Sequence, residues 1–491
     1  FSSGAAGSKQ VVKLYICKLG GLIAVRWRAT GQLPKKNAMQ PEVKTQSIIR
    51  ELKSPVQVIT KIMQMSSFQY FFTKISQAGF LLFGSAVLAF VWANIDGEGY
   101  NHFWHQELAI SLAGMSLSHS LAHWINDGLM LIFFLTVGLE IKREMLVGGL
   151  SDPKRAALPV AAAAGGMVVP ALIYLFFTWG TDSVSGWGIP MATDIAFSIA
   201  VLSLLGKRVP FGVRLFLTAF AIADDLGAIL VIALFYTPSI NLAALFVADT
   251  LVGGLWALNH FGVRHSFPYI LVCILLWFAV SKAGLHPTIA GVVTAMFIPA
   301  SAKYDTDIFL DMVSKKLEEI QCQDGTCGQS VLVNQSHLEA VHEINLACSE
   351  VEAPLQRLEH SLSSWVGYLV LPLFALANGG VSLMGLDPIA AVTDPITMGI
   401  TMGLLFGKPL GIFLFTFGVA KILKTSLLRG TTWTHIIGAG MLGGIGFTMS
   451  LFISNLSFSE VIHLEYAKIG IMLGSFFSAL AGYILLRWGN K

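Results

Sequence analysis

Two adjacent acids, Asp224 and Asp225, sit inside the apolar run AFAIADDLGAILV, with Arg214 the only Lys or Arg within ten residues of Asp224. Asp194, in PMATDIAFS, and Lys408, in LLFGKPLGI, are isolated among apolar residues in the same way. An ionised side chain at the centre of a bilayer costs about 2.5–3.5 kcal/mol, so these four would together cost on the order of 10 kcal/mol if unpaired. They must be paired, hydrated or neutral part of the time. One Asp with Lys408 would make a structural ion pair, but three acids against one base leave acid to spare. Neighbours on a helix point about 100° apart. Asp224 and Asp225 therefore cannot both face Lys408 squarely; one turns to it while the other faces a cavity. Each carboxylate opposes the other's charge and burial opposes ionisation, so one of them is expected to hold a proton at physiological pH. Once deprotonated, it is a hard oxygen ligand suited to a hard cation. A site that holds a proton or a cation, but not both, performs exchange.

Such a site needs apolar helices to carry it, and the composition supplies them. Of 491 residues, 54% are hydrophobic and 12% charged, with mean hydropathy +0.68; a soluble chain would carry about 25% charged residues. The net charge of +3 is too small to suggest a nucleic-acid partner. The apolar stretches are long enough to span a bilayer, which takes about 20 residues per helix. The expected fold is an all-α polytopic membrane protein with twelve spans, near 74–95, 122–141, 156–178, 186–206, 211–236, 241–260, 267–283, 287–300, 364–384, 395–419, 434–455 and 466–487. The eighth is short, and GWGIP breaks the start of the fourth. Lys and Arg collect on the cytoplasmic side of membranes. With both termini inside, all of the 32 basic residues except Lys282, Lys408 and Lys468 fall in inside segments. The chain then reads as a basic cytoplasmic extension over 1–70, spans 1–8 over 71–300, a polar cytoplasmic insert over 301–361, and spans 9–12 over 362–491.

Two spans are interrupted. Pro190 precedes Asp194 in the fourth, and Gly440, Gly443, Gly444 and Gly446 precede Thr448 and Ser450 in the eleventh. Irregular backbone at membrane depth is tolerated only where it lines a cavity or is covered by protein. Spans 3–5 and 10–12 are triplets of opposite direction, each with the interrupted helix in the middle. Matching interruptions in inverted repeats point to a transporter's binding site. Half-helix ends carry about half a unit charge. Asp194 is expected to balance the positive ends and Lys408 the negative ends, with Thr193 offering a hydroxyl and a carbonyl beside them.

The stretches FLTVGLEIKRE (134–144), PMATDIAFSIAVLSLLG (190–206), FLTAFAIADDLGAI (216–229), LPLFALANGGV (371–381), LLFGKPLGI (404–412) and MLGGIGFTMSLFI (441–453) resemble the NhaA family of Na⁺/H⁺ antiporters, in family order and spacing, over about 70–490. That family is a known case of the inverted-repeat architecture. The resemblance implies that Asp225 is the central ion and proton carrier. Asp224 would be its partner, pairing with Lys408 or binding the ion directly. Thr193 and Asp194 would lie where the broken helices cross. Glu140, Arg143 and Glu144 would serve pH control and an entrance funnel, with Glu359 and His360 in the same regulatory group. His286, in AGLHPT, matches a histidine tied to pH response; packing is the alternative reading. It also implies a bacterial inner membrane, Na⁺, Li⁺ and H⁺ as transported ions, exchange of more than one proton per sodium, no cofactor, no enzymatic activity, and a homodimer through the loop between spans 1 and 2, where GEGYNHFWHQEL is the candidate hairpin. The 301–356 insert and Ser363, where some members carry another histidine, depart from the family pattern.

The rest says less. Residues 1–70 include the apolar patch VVKLYICKLGGLIAV, too short and too charged to span, with Met39, Met63 and Met65 as possible starts. Cys322 and Cys327 in CQDGTC, with His337, His342 and Cys348 downstream, fit no standard zinc spacing. Among rival functions, an intramembrane aspartyl protease needs its two acids on different helices, which adjacent positions forbid. A passive cation channel sits poorly with a mid-span Lys. A transporter of the same architecture for an organic anion would need surplus positive charge, and the surplus here is negative.

Overall fold

The computed structural model describes residues 13–19, 22–28, 77–112, 115–236, 241–320, 335–383, 387–425, 427 and 430–489. Two compact units emerge, one comprising the described parts of 1–68 and 302–352, the other 69–301 and 353–491. In the first, strands β1 (Lys13–Leu19) and β2 (Leu22–Arg28) pair antiparallel; the rest of the basic 1–70 extension lies outside the described residues.

The second unit is helical. In chain order it holds α1 (Gln77–Ile95), α2 (Gly97–His105), the hairpin β3 (Glu107–Leu112) and β4 (Met115–Ser120), α3 (Leu121–Leu146) and α4 (Pro153–Thr178). A 3₁₀ helix, Asp182–Met191, then leads to α5 (Ile195–Leu204), α6 (Phe211–Phe235), α7 (Leu242–His260), α8 (Ser266–Ala283) and the short α9 (Ile289–Phe297). In the first unit, α10 (Thr306–Ile320) and α11 (Gln335–Val351) form a helical pair joined by ion pairs such as Lys316–Glu343 at 2.8 Å. The second unit resumes with α12 (Pro354–Asn378), a turn of helix α13 (Pro388–Thr393), α14 (Pro395–Ile422), α15 (Trp433–Gly443), α16 (Phe447–Ser457) and α17 (Val461–Trp488).

Among the described residues, nine helices are long and apolar enough to cross a membrane, and two bent pairs bring the number to eleven. The twelfth expected span, the eighth, is only the nine residues of α9. At 1.5 Å per residue a helix of nine residues reaches less than half of a hydrocarbon core about 30 Å thick. The run is cut at one end by the turn at Pro287–Thr288 and at the other by Pro299 just past its extended C-cap, Ile298. The ninth helix begins at Pro354, inside the stretch read as insert, because proline suits the first helical position.

The segment GEGYNHFWH, read as part of a hairpin, is helix α2, capped by the Asp96 side chain on Gly99 N. The hairpin comes just after it, over 107–120, where apolar and polar residues alternate with the period of two that strands require. Large apolar side chains such as Phe176, Leu234 and Phe246 are mostly exposed, as a protein solvated by lipid demands. CQDGTC lies outside the described residues. Among the described residues no group of His, Cys, Asp and Glu side chains is placed to hold a metal ion.

Candidate ion site

Both interruptions expected from Pro190 and the glycines are present. The 3₁₀ helix meets α5 at a bend of 45°, and α15 meets α16 at 47°. Ala192 and Asp194 between the first pair are extended, and the Asp194 side chain caps α5 by accepting from Phe197 N at 2.9 Å. In the second pair, Gly444 closes α15 and Gly446 opens α16.

The two breaks are stitched together. Asp194 N donates to Ile445 O at 2.7 Å, Thr193 Oγ1 to Gly443 O at 2.8 Å, and Ser198 Oγ to Leu442 O at 2.7 Å. In the other direction, Thr448 gives Asp194 Oδ2 both its backbone N–H, at 3.1 Å, and its hydroxyl, at 2.6 Å. Ser450 Oγ donates to Ile189 O at 2.8 Å. The Asp194 carboxylate therefore touches the first turns of both α5 and α16, the two positive helix ends.

Lys408 opens the straight part of α14, directly after a π turn at Gly403–Gly407. Its ammonium donates to Met191 O, the last carbonyl of the 3₁₀ helix, and lies 2.7 Å from Asp224 Oδ2; both side chains are fully buried. It meets only one of the two negative ends. The carbonyls closing α15, those of Leu442 and Gly443, are taken by the hydroxyls of Ser198 and Thr193 instead. Lys408 thus meets one of the two negative ends by a hydrogen bond, and Thr193, whose hydroxyl donates to Gly443 O, also lies beside Asp224.

Asp224 and Asp225 lie mid-way along α6, both buried. Asp224 turns to Lys408. The Asp225 Oδ1 is buried and accepts no hydrogen bond among the described residues. Its carboxyl lies within electrostatic reach of Asp224, Glu140, Lys408 and Asp194. Asp224 and Asp225 both lie within electrostatic reach of the Lys408 ammonium, and only Asp224 is paired with it directly.

At one end of α3, Arg143 bridges Glu144 at 3.2 Å and Glu359 of α12 at 3.3 Å, with Glu140 beside them. Glu144 Oε2 also accepts from Gly149 N at 2.8 Å, closing the turn after the helix. His360 does not join this cluster: it is exposed, one residue from Glu359. His286 is buried, its Nδ1 2.6 Å from the Thr288 hydroxyl and its ring edge-on to Phe452 at 5.1 Å. Sequence reasoning missed Ser198, whose hydroxyl looked like any small residue in a span. It also missed Lys142, whose Nζ reaches Met296 O and Ile298 O at 2.6 Å each and so closes the end of α9. The KRE triplet with a nearby short span was the only signal for that contact.

Crossed, broken helices with a buried carboxylate–ammonium cluster define a polytopic transport protein built on inverted repeats. Residues 69–486 match the family described as Na+/H+ antiporter 1, and the chain belongs to that family, the NhaA antiporters. It is 44% identical to the Na(+)/H(+) antiporter NhaA of Oleidesulfovibrio alaskensis over 86% of this chain and 94% of that protein. Against the Na(+)/H(+) antiporter NhaA of Helicobacter pylori strain G27 the identity is 46% over 84% and 93%. Against Na(+)/H(+) antiporter NhaA 2 of Syntrophotalea carbinolica it is 44% over 85% and 95%.

Proposed function

We propose that this protein exchanges Na⁺ for H⁺ across a membrane at Asp225 and Asp224. The observation that carries the reading is the pairing asymmetry: among the described residues Oδ1 of both buried aspartates lacks a hydrogen bond, but Asp224 is held through Oδ2 by Lys408, while Asp225 has no ion pair. A buried carboxyl without a partner is stable when it holds a proton or a cation, and it cannot hold both. Sodium entering beside Asp225 displaces its proton. It also competes with the Lys408 ammonium for Asp224, so a second proton leaves the Asp224–Lys408 pair. Two protons against one sodium make the exchange electrogenic. Li⁺, a smaller hard cation, serves the same oxygens.

With the Glu140 end of α3 facing the cytoplasm, sodium enters past Glu140, Glu144 and Glu359, whose pairing with Arg143 sets the pH response. His286, packed against Phe452 and Thr288, serves the scaffold. The membrane is the bacterial inner membrane, with both termini and the α10–α11 insert inside. Two copies associate through the β3–β4 hairpin at the opposite face.

The test uses everted vesicles from a host lacking its own antiporters, energised to an acid interior. Added Na⁺ or Li⁺ should collapse the pH gradient with the wild type. Asp225→Asn should reach the membrane at the wild-type level and give no response. A wild type that admits Na⁺ without moving protons would be a passive cation channel, and the proposal would fail.

A further inference from the structure

On the far side of Asp225 from the Glu140 cluster, α3, α12 and α16 supply two stacked layers. The nearer layer is aromatic and buried: Phe452 of α16 lies 5.4 Å from Phe134 of α3 and 6.3 Å from Phe374 of α12, between ring centroids. A narrow apolar crevice between Phe134, Ile229, Ile232, Thr288 and Ile289, too tight to hold a water molecule, lies against this layer, on the outward continuation of α6 past Asp225. The further layer is made of amides. Asn378 at the end of α12 accepts from Asn126 Nδ2 of α3 at 3.2 Å and from Asn455 Nδ2 of α16 at 2.8 Å. It donates to Asn126 Oδ1 at 2.7 Å and to Phe374 O at 3.0 Å. Both donors and both lone-pair positions of this side chain are in use. Asn126 sits in a π turn, Trp124–Leu129, a widened stretch of helix that often marks functional positions.

We propose that Asn126, Asn378 and Asn455 form the latch that closes the outward route from Asp225. The assignment of this side as outward rests on the antiport reading above; the latch itself rests on the geometry. The aromatic layer is buried and its rings meet without hydrogen bonds, and separating α16 from α3 and α12 parts it. That separation breaks the Asn455–Asn378 bond, while the paired Asn126–Asn378 bonds hold the Asn378 acceptor in place to receive it. Amides suit the task because water replaces each bond as it opens, which keeps its net strength small. Being neutral, they neither trap nor repel a departing cation, as a salt bridge in the same place would.

The experiment reads opening directly, without transport. Ile232→Cys places a thiol beside this closed crevice, and its labelling by a membrane-impermeant maleimide is followed in right-side-out vesicles, relative to the same protein with Ile232 retained. Adding Asn378→Leu should raise the labelling rate about tenfold, and Asn455→Val or Asn126→Val about threefold, in keeping with the small net strength of each lost bond. Val137→Cys, on the Glu140 side of Phe134, should show no increase. Unchanged labelling of Ile232→Cys in all three variants overturns the latch, and so does an equal rise at Val137→Cys, which would mean general loosening. If Asn378→Leu does not reach the membrane, the two valine variants decide. Raised labelling in a protein that shows no Na⁺/H⁺ exchange would leave the latch standing and sink the antiport reading; exchange with unchanged labelling would do the reverse.

Discussion

The two broken spans bend almost equally, by 45° and 47°, but they are built from opposite materials. The fourth carries a proline, an extended connection and a charge: Asp194 caps its own second half and that of its partner. The eleventh carries no charge at its break. It offers glycines instead, and a Cβ at Gly444 would collide with Leu404 O and Ser478 Oγ. One span brings the electrostatics and the other brings the room. An inverted repeat therefore conserves a shape while dividing the chemistry, and a substitution in one break need not resemble the matching substitution in the other.

The largest test of that division lies just outside the crossing. Lys408→Ala leaves buried Asp224 without its counter-charge and should cost about 3–5 kcal/mol, read from thermal unfolding in detergent. Adding Asp224→Asn should restore most of it. A double variant no more stable than the single would show that charge pairing is not what holds this region. On the charged break, Asp194→Ala strips three donors of their acceptor and should cost about 1.5–3 kcal/mol. On the glycine break, Gly444→Ala should cost about 1–3 kcal/mol through overpacking alone, with no dependence on salt. The mildest change is Thr448→Val, which removes one hydroxyl from Asp194 but leaves both backbone donors, and should cost about 0.5–1.5 kcal/mol. If Thr448→Val were as damaging as Asp194→Ala, the charge would have to be assigned to both breaks and the division abandoned.

Much of this was legible beforehand because isolated charges and helix breakers stand out in apolar sequence. Asp194, Asp224, Asp225 and Lys408 could be named without knowing any contact, and so could the two bends. What stayed hidden was whatever depends on convergence from distant positions. Asn126, Asn378 and Asn455 are unremarkable singly, and only the packing of α3, α12 and α16 makes them a cluster. The eighth span already read as short, but how short α9 would be was hidden for another reason. Hydropathy counts apolar residues, and 287–300 has them, but a prolyl turn and Pro299 decide how many are helical. The hairpin was placed about ten residues early because the resemblance pointed to the loop between the first two spans without fixing which of its residues pair.

The spans that flank the breaks, α4 and α14, meet where Gly165 faces Gly411, and a Cβ on either would strike the other's carbonyl. No side chain stands between the two backbones, so nothing there can act as a cushion or a bearing. Mechanically this is a weld. Whatever rocks during a transport cycle must pivot around that joint, and the sliding surfaces have to be sought where side chains interleave, as at the seam of Phe134 and Phe452.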